Sequence, residues 1–203
     1  MESLSTTISH TLCHSDALQY KNYPKEKLKL ARKLFDIYNQ DVFDGCLPVD
    51  MAITWSSRLT KTAGMCVMSY TKEGIRTARI VLSIKVLDTA CRLRDTLIHE
   101  LCHAAVFLIT RVSKGGHGPY WKHWTLKAML KFPELPFISS SHSYKINTKF
   151  VYTCKDCGYS IGRHTQSLDT VIKVCGHCLG TFEVSKRKTL SAKVEQYPEK
   201  TKP

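Results

Sequence analysis

Apolar residues first recur at helical spacing just after Pro24, where Leu28, Ala31, Phe35, Tyr38 and Val42 form one face. Pro24 suits a first helical turn, and Gly45 followed by Pro48 supplies the stop. From residue 51 to 86 the period shortens. The runs MAITW (51–55), MCVMSY (65–70) and ARIVLSI (78–84) are rich in branched and aromatic residues and are separated by breakers, which predicts a small, mostly antiparallel sheet. A long apolar helix is expected from residue 88 to about 110, with Leu93, Thr96, Leu97, Leu101, Ala104 and Leu108 on its buried face. A glycine-containing loop spans 113–118, Pro119 opens a further helix to about residue 130, and Pro133 and Pro136 break the chain into a connector. The pattern is α+β: helices packed on a small sheet, with a polar lead-in over 1–23 and a basic tail from 186.

The long helix carries the most specific chemistry. His99-Glu100-Leu101-Cys102-His103 matches H-E-x-x-H. Two histidines four apart project from one helical face and can share a zinc ion, while Glu100 can reach a water on that ion and act as general base in peptide hydrolysis. Cys102 points away from the histidines and reads as a core residue. A catalytic zinc needs a third protein ligand and one open position. The metzincin extension is absent, because Ala104, Ala105 and Val106 follow directly. His117, flanked by glycines in 115–119, is the favoured third ligand; His123 in the next helix is its competitor, with a supporting role as its other reading.

A second metal pattern lies downstream. Cys154-x-x-Cys157 and Cys175-x-x-Cys178 are separated by seventeen residues, a zinc-ribbon spacing in which four thiolates close a structural site. His164 and His177 are spare ligands to a set already complete, and the cysteines at 13, 46, 66, 91 and 102 show no ligand spacing. Two zinc ions are therefore expected, one catalytic and one structural.

Charge and composition narrow the reading. The 203 residues suffice for one domain and a small module, and 43% hydrophobic content excludes a wholly disordered chain. No run of about 18 apolar residues offers a membrane span, and the first residues lack a secretory pattern, so a reducing compartment is expected. Thirty basic against 17 acidic residues give a net charge of +13, which favours a polyanionic partner over solubility alone. Much of that surplus is expected around the cysteine module. There Lys149, Lys155, Arg163 and Lys173 are candidate DNA contacts, with Phe150, Tyr152, Tyr159 and Phe182 either stacking on bases or forming the module's core.

Taken together, DTLIHELCHA (95–104), GHGP (116–119) and Trp121 resemble the SprT-like zinc metalloproteases. Ile53-Thr54-Trp55, Thr62-Ala63-Gly64, His142-Ser143-Tyr144, IGRH (161–164), Ser167-Leu168-Asp169 and both cysteine pairs extend the likeness over about 25–184. The resemblance implies a zincin-like metalloprotease domain over 24–148 and a zinc ribbon over 149–185. It implies His99, His103 and His117 as zinc ligands, Glu100 as catalytic base and the four cysteines as ribbon ligands. It further implies DNA-gated cleavage of proteins crosslinked to DNA, on single strands or junctions, by a monomer at chromatin in the nucleus. A DNA-binding adaptor with a silent zincin domain is the alternative, and a general peptidase is a third reading.

Overall fold

The computed structural model describes residues 23–141 and 146–187. The lead-in, the end of the basic tail and the 142–144 motif lie outside the described residues. Two compact units divide between Tyr144 and Lys145.

In the first unit, α1 (Tyr23–Asp41) opens one residue before Pro24 and buries Leu30, Ala31, Leu34, Phe35 and Tyr38. Leu28 was expected on this face but is 60% exposed. The core stripe is carried by Leu30 and Leu34 instead, and Tyr23 anchors the start of the helix, its hydroxyl donating to the Leu87 carbonyl at 3.1 Å. Asp44 (φ 55) and Gly45 (φ 71) turn the chain out of the helix through left-handed backbone. Buried Asn39 stitches the return: its amide donates to the Leu47 carbonyl at 2.9 Å and accepts from the Leu47 N–H at 3.0 Å.

Strands β1 (Ile53–Ser56), β2 (Gly64–Tyr70) and β3 (Arg76–Ser83) form one sheet in the order β1-β3-β2. The antiparallel pairing expected from the short breakers joins β2 to β3, with Gly64 opposite Leu82 and Tyr70 opposite Arg76. β1 departs from it and runs parallel to β3, with Ile53 opposite Ile80. The mixed sheet has a physical cause: β1 and β2 flank β3 on opposite sides, so the link between them crosses the sheet rather than closing a hairpin.

Helix α2 (Ala90–Leu108) begins at Thr89, whose hydroxyl accepts from the Arg92 N–H at 3.2 Å. It packs against α1, β2, β3 and α3 (Pro119–Lys131). Its surroundings are more enclosing than a one-sided stripe implies. Ile98, Ala105, Val106 and Phe107 are buried along with the expected Leu93, Leu97, Leu101 and Ala104, while Leu108 is half-buried. Two arginines are buried and paired: Arg94 bridges Asp95 at 2.6 Å, and Arg92 reaches the exposed Asp88 at 3.2 Å.

The second unit is a three-stranded antiparallel sheet, order β5-β4-β6, made of β4 (Phe150–Cys154), β5 (Ser160–Arg163) and β6 (Phe182–Lys186). Its small core holds Tyr152, Cys154, Cys175 and Phe182, with Phe150, Ile161 and Leu168 packed against it.

The contact between α2 and β2 is tightest at Gly64, where a Cβ would stand 2.8 Å from Thr96 Cγ2 and 3.2 Å from Glu100 Cγ. Both neighbours are on a helix buried all round and have little room to retreat. Gly64→Ala is therefore expected to destabilise the first unit by about 1–3 kcal/mol. Denaturant unfolding followed by the fluorescence of Trp55, Trp121 and Trp124, all in this unit, measures it; an unchanged midpoint would show that the strand can move away.

Candidate metal centres

His99 and His103 lie one turn apart on α2, and the loop ahead of α3 brings His117 to them. The three Nε2 atoms form a nearly equilateral triangle: 3.3 Å for His99–His103, 3.1 Å for His103–His117 and 3.1 Å for His99–His117. Hydrogen bonding cannot satisfy such a triangle. An imidazole nitrogen that carries a proton donates and one without it accepts, so at least one side always joins two donors or two acceptors. A cation resolves the conflict, because tetrahedral zinc bonded at about 2.0–2.1 Å holds its nitrogen ligands about 3.3 Å apart. The protonation states suit the same role. Burial, and then the neighbouring His117, press His103 down to about 4, and burial lowers His117 as well, so both rings are neutral donors near pH 7.

The loop geometry explains how a residue fourteen positions away reaches the helix. Gly116 takes φ +46, and a Cβ on Gly115 would stand 2.7 Å from the Val106 side chain on α2. The loop thus lies against the helix that carries the other two histidines. His123 is not brought in: it is exposed and its ring faces Trp124 at 5.5 Å. Cys102 is fully buried, as its place on the helix required.

Glu100 sits beside the triangle, 6% exposed. Burial raises its carboxyl to about 7, opposed by a hydrogen bond from the Cys66 backbone N–H on β2. That strand contact was not visible in the sequence, where Cys66 had no ligand spacing to mark it. Trp121 is the second residue whose place only the fold reveals. It is buried, and its ring lies 4.9 Å from His99, 5.6 Å from His103 and 4.6 Å from His117, centroid to centroid.

The second unit gathers Cys154, Cys157, Cys175 and Cys178 with all four sulfurs within 4.8 Å of one another. Cys154 and Cys178 stand 3.4 Å apart and Cys157 and Cys175 3.7 Å, well beyond a disulfide and near the spacing set by tetrahedral Zn–S bonds of about 2.3 Å. Backbone N–H groups of Cys157 and then Asp156 hold the Cys154 thiol down to about 7, which favours the thiolate a metal needs. His177 lies outside this set and stacks on Tyr159 at 4.1 Å.

The basic candidates divide. Lys149, Lys155 and Lys173 are exposed, whereas Arg163 is half-buried opposite Phe150. Of the aromatics, Tyr152 and Phe182 belong to the core and Phe150 packs on it, leaving Tyr159 exposed. The charge surplus is denser in this part of the chain: residues 145–203 hold 11 basic and 5 acidic side chains, against 19 and 12 over 1–144.

A carboxyl raised to about 7 from its ordinary 4.5 favours the folded state in its protonated form. Its contribution is fully present below pH 4.5 and is lost as the pH rises through 7. In metal-free protein, Glu100→Gln should therefore be the more stable form at pH 8, by on the order of 2 kcal/mol, and should converge with the wild type near pH 4.5. Unfolding curves across that range decide it; a gap independent of pH would show that the carboxylate is not penalised by burial.

Among known proteins, the SprT-like family model matches residues 31–142. Human germ cell nuclear acidic protein is 42% identical over 165 residues, covering 80% of this chain and 24% of that protein. Germ cell nuclear acidic-1 protein of Caenorhabditis elegans is 41% identical over 187 residues, 89% of this chain and 34% of the relative. The human DNA-dependent metalloprotease SPRTN is 36% identical over 93 residues, 44% of this chain and 18% of SPRTN. The chain thus spans between a sixth and a third of the length of the germ cell nuclear acidic proteins it matches. With the family model covering more than half of its residues, and the residues of the histidine triangle inside that span, the chain belongs to the SprT-like family.

Proposed function

We propose that this protein is a zinc metalloendopeptidase of zincin-like fold that acts on proteins crosslinked to, or tightly bound on, DNA. The observation that carries the reading is the convergence of three imidazoles beside a buried glutamate. His99, His103 and His117 would hold the catalytic zinc, and Cys154, Cys157, Cys175 and Cys178 a structural one. Bound at the histidines, zinc supplies a Lewis acid that polarises a carbonyl and acidifies water.

The chain's own residues do the rest. Glu100, hydrogen-bonded to β2, accepts a proton from the attacking water and returns it to the departing amine. Burial raises this carboxyl, and a zinc ion at the histidines would lower it again, which favours the ionised form that accepts the proton. Burial of His99 and Glu100 restricts water on the helix side, so the proton passes between defined partners.

DNA enters through charge. The excess of lysine and arginine on both units suits a phosphate backbone, with Lys149, Lys155, Arg163 and Lys173 as contacts on the ribbon. DNA held by the same chain raises the effective concentration of any protein attached to it, which relaxes the need for a selective side-chain pocket. The name of the relative SPRTN, a DNA-dependent metalloprotease, supports this gating. The names of the germ cell nuclear acidic proteins support a nuclear location, at chromatin.

Two measurements test the reading. Elemental analysis of the purified chain is expected to find two zinc ions, one lost in His117→Ala and the other in Cys175→Ala. Incubated with a histone, the protein should cleave only when single-stranded DNA is present, and Glu100→Gln should lower the rate at least about a hundredfold. Tight DNA binding without cleavage would make the protein an adaptor, and cleavage indifferent to DNA and salt a general peptidase.

A further inference from the structure

The three histidines do not come from one rigid element. His99 and His103 ride on α2, whereas His117 belongs to a glycine-bearing loop, whose freedom opposes a fixed triangle. Trp121 spans the two sources. It lies in the first turn of α3, four residues beyond His117, and its ring meets all three imidazoles at centroid distances of 4.6–5.6 Å. Against His99 and His117 it stands edge to face, at 62° and 83°; over His103 it is tilted at 32°. Its indole N–H also points to the His99 carbonyl, at 3.5 Å. Only 3% of the residue is exposed, so its orientation is held by the packing of α3 on α2.

We infer that Trp121 is the positioning residue of the histidine centre: a flat wall that sets the planes of the three rings and registers the glycine-bearing loop against the helix, so that the Nε2 atoms converge before any metal arrives. The physical basis is preorganisation. Each side chain that must be ordered on binding costs about 0.5–1.5 kcal/mol, and groups that orient metal ligands typically change affinity by about 10–100-fold. Aromatic edge-to-face contact adds orientation that an aliphatic residue of similar bulk lacks. The inference rests on the zinc reading of the triangle.

Co2+ binding to the full chain, after removal of resident metal, tests it apart from catalysis. Visible absorption that disappears in His117→Ala reports the histidine centre; the thiolate charge-transfer bands report the cysteine centre as an internal control. Trp121→Leu is expected to weaken the His117-dependent site about 10–100-fold and leave the thiolate bands unchanged. Trp121→Phe, whose smaller ring spans less of the triangle, should weaken it about threefold. Trp124→Phe should not weaken it, because Trp124 lies on the same helix but packs on Phe43 and bonds Thr110. Wild-type affinity in both Trp121 variants would overturn the proposal, as would an equal loss in Trp124→Phe, which would mark a general loosening of α3. Should Trp121→Leu not fold, the comparison of the two phenylalanine variants decides. Failure of the zinc reading itself is told apart, because the wild type would then show no His117-dependent absorption at all.

Discussion

A carboxyl and two imidazoles on a helix enclosed on nearly every side must give up water, and the first unit is organised around that loss. Glu100 keeps one hydrogen bond from β2, and its carboxyl is pushed up to about 7 as the remaining solvation disappears. Burial holds His103 neutral, and the Nε2 atoms of both imidazoles turn to one point with that of His117. An apolar helix with the same packing would suffer none of this. A cation at the triangle and a proton to move at the carboxylate, as proposed above, would account for that sacrifice of solvation, and on that proposal burial, which usually argues for a structural role, argues for chemistry.

The approach of β2 to α2 follows from the same demand. A strand can hydrogen-bond the glutamate only if it lies close, and Gly64 is where a side chain would prevent that. On the opposite side, the loop around His117 lies against Val106, and α3 brings Trp121 onto the imidazoles. Helix, strand and loop thus meet at one place, each through a residue whose size is dictated by the gap it fills. The ribbon unit solves a different problem. Its core is a few side chains clustered with two of the four cysteines, little apolar burial for a fold of that length, so a zinc ion held by the four cysteines, as proposed, would couple metal binding to folding there.

Much of this was legible in the residues alone. The i, i+4 spacing of His99 and His103 and the two matched cysteine pairs are local patterns, and local patterns survive into any fold that leaves the segment helical or turned. Helix limits were readable for the same reason: Pro24, Pro119 and the Gly45 stop act through backbone geometry within a residue or two. What failed was inference about faces. Leu28 fits the period of α1 yet is left in solvent, although Tyr23, earlier on the same helix, is buried. Tyr152 and Tyr159 look alike in the chain, yet one is core and the other surface, because Tyr152 lies in the middle of the central strand β4 and Tyr159 in the turn ahead of β5.

The sequence by itself determined which atoms are available and in what short-range order: two histidines and a glutamate on one helix, a histidine among glycines, four cysteines in two turns, an excess of positive charge. Tertiary structure alone decided that His117 rather than His123 joins the pair, that β1 runs parallel to β3, that Cys66 offers its N–H to Glu100 and that Trp121 backs all three rings. The reason is one of range. Spacing along a helix or through a turn is set by bond geometry over a few residues, whereas contacts across 14 to 34 positions depend on how whole elements pack, and packing is chosen by the summed burial of many side chains rather than by any one of them.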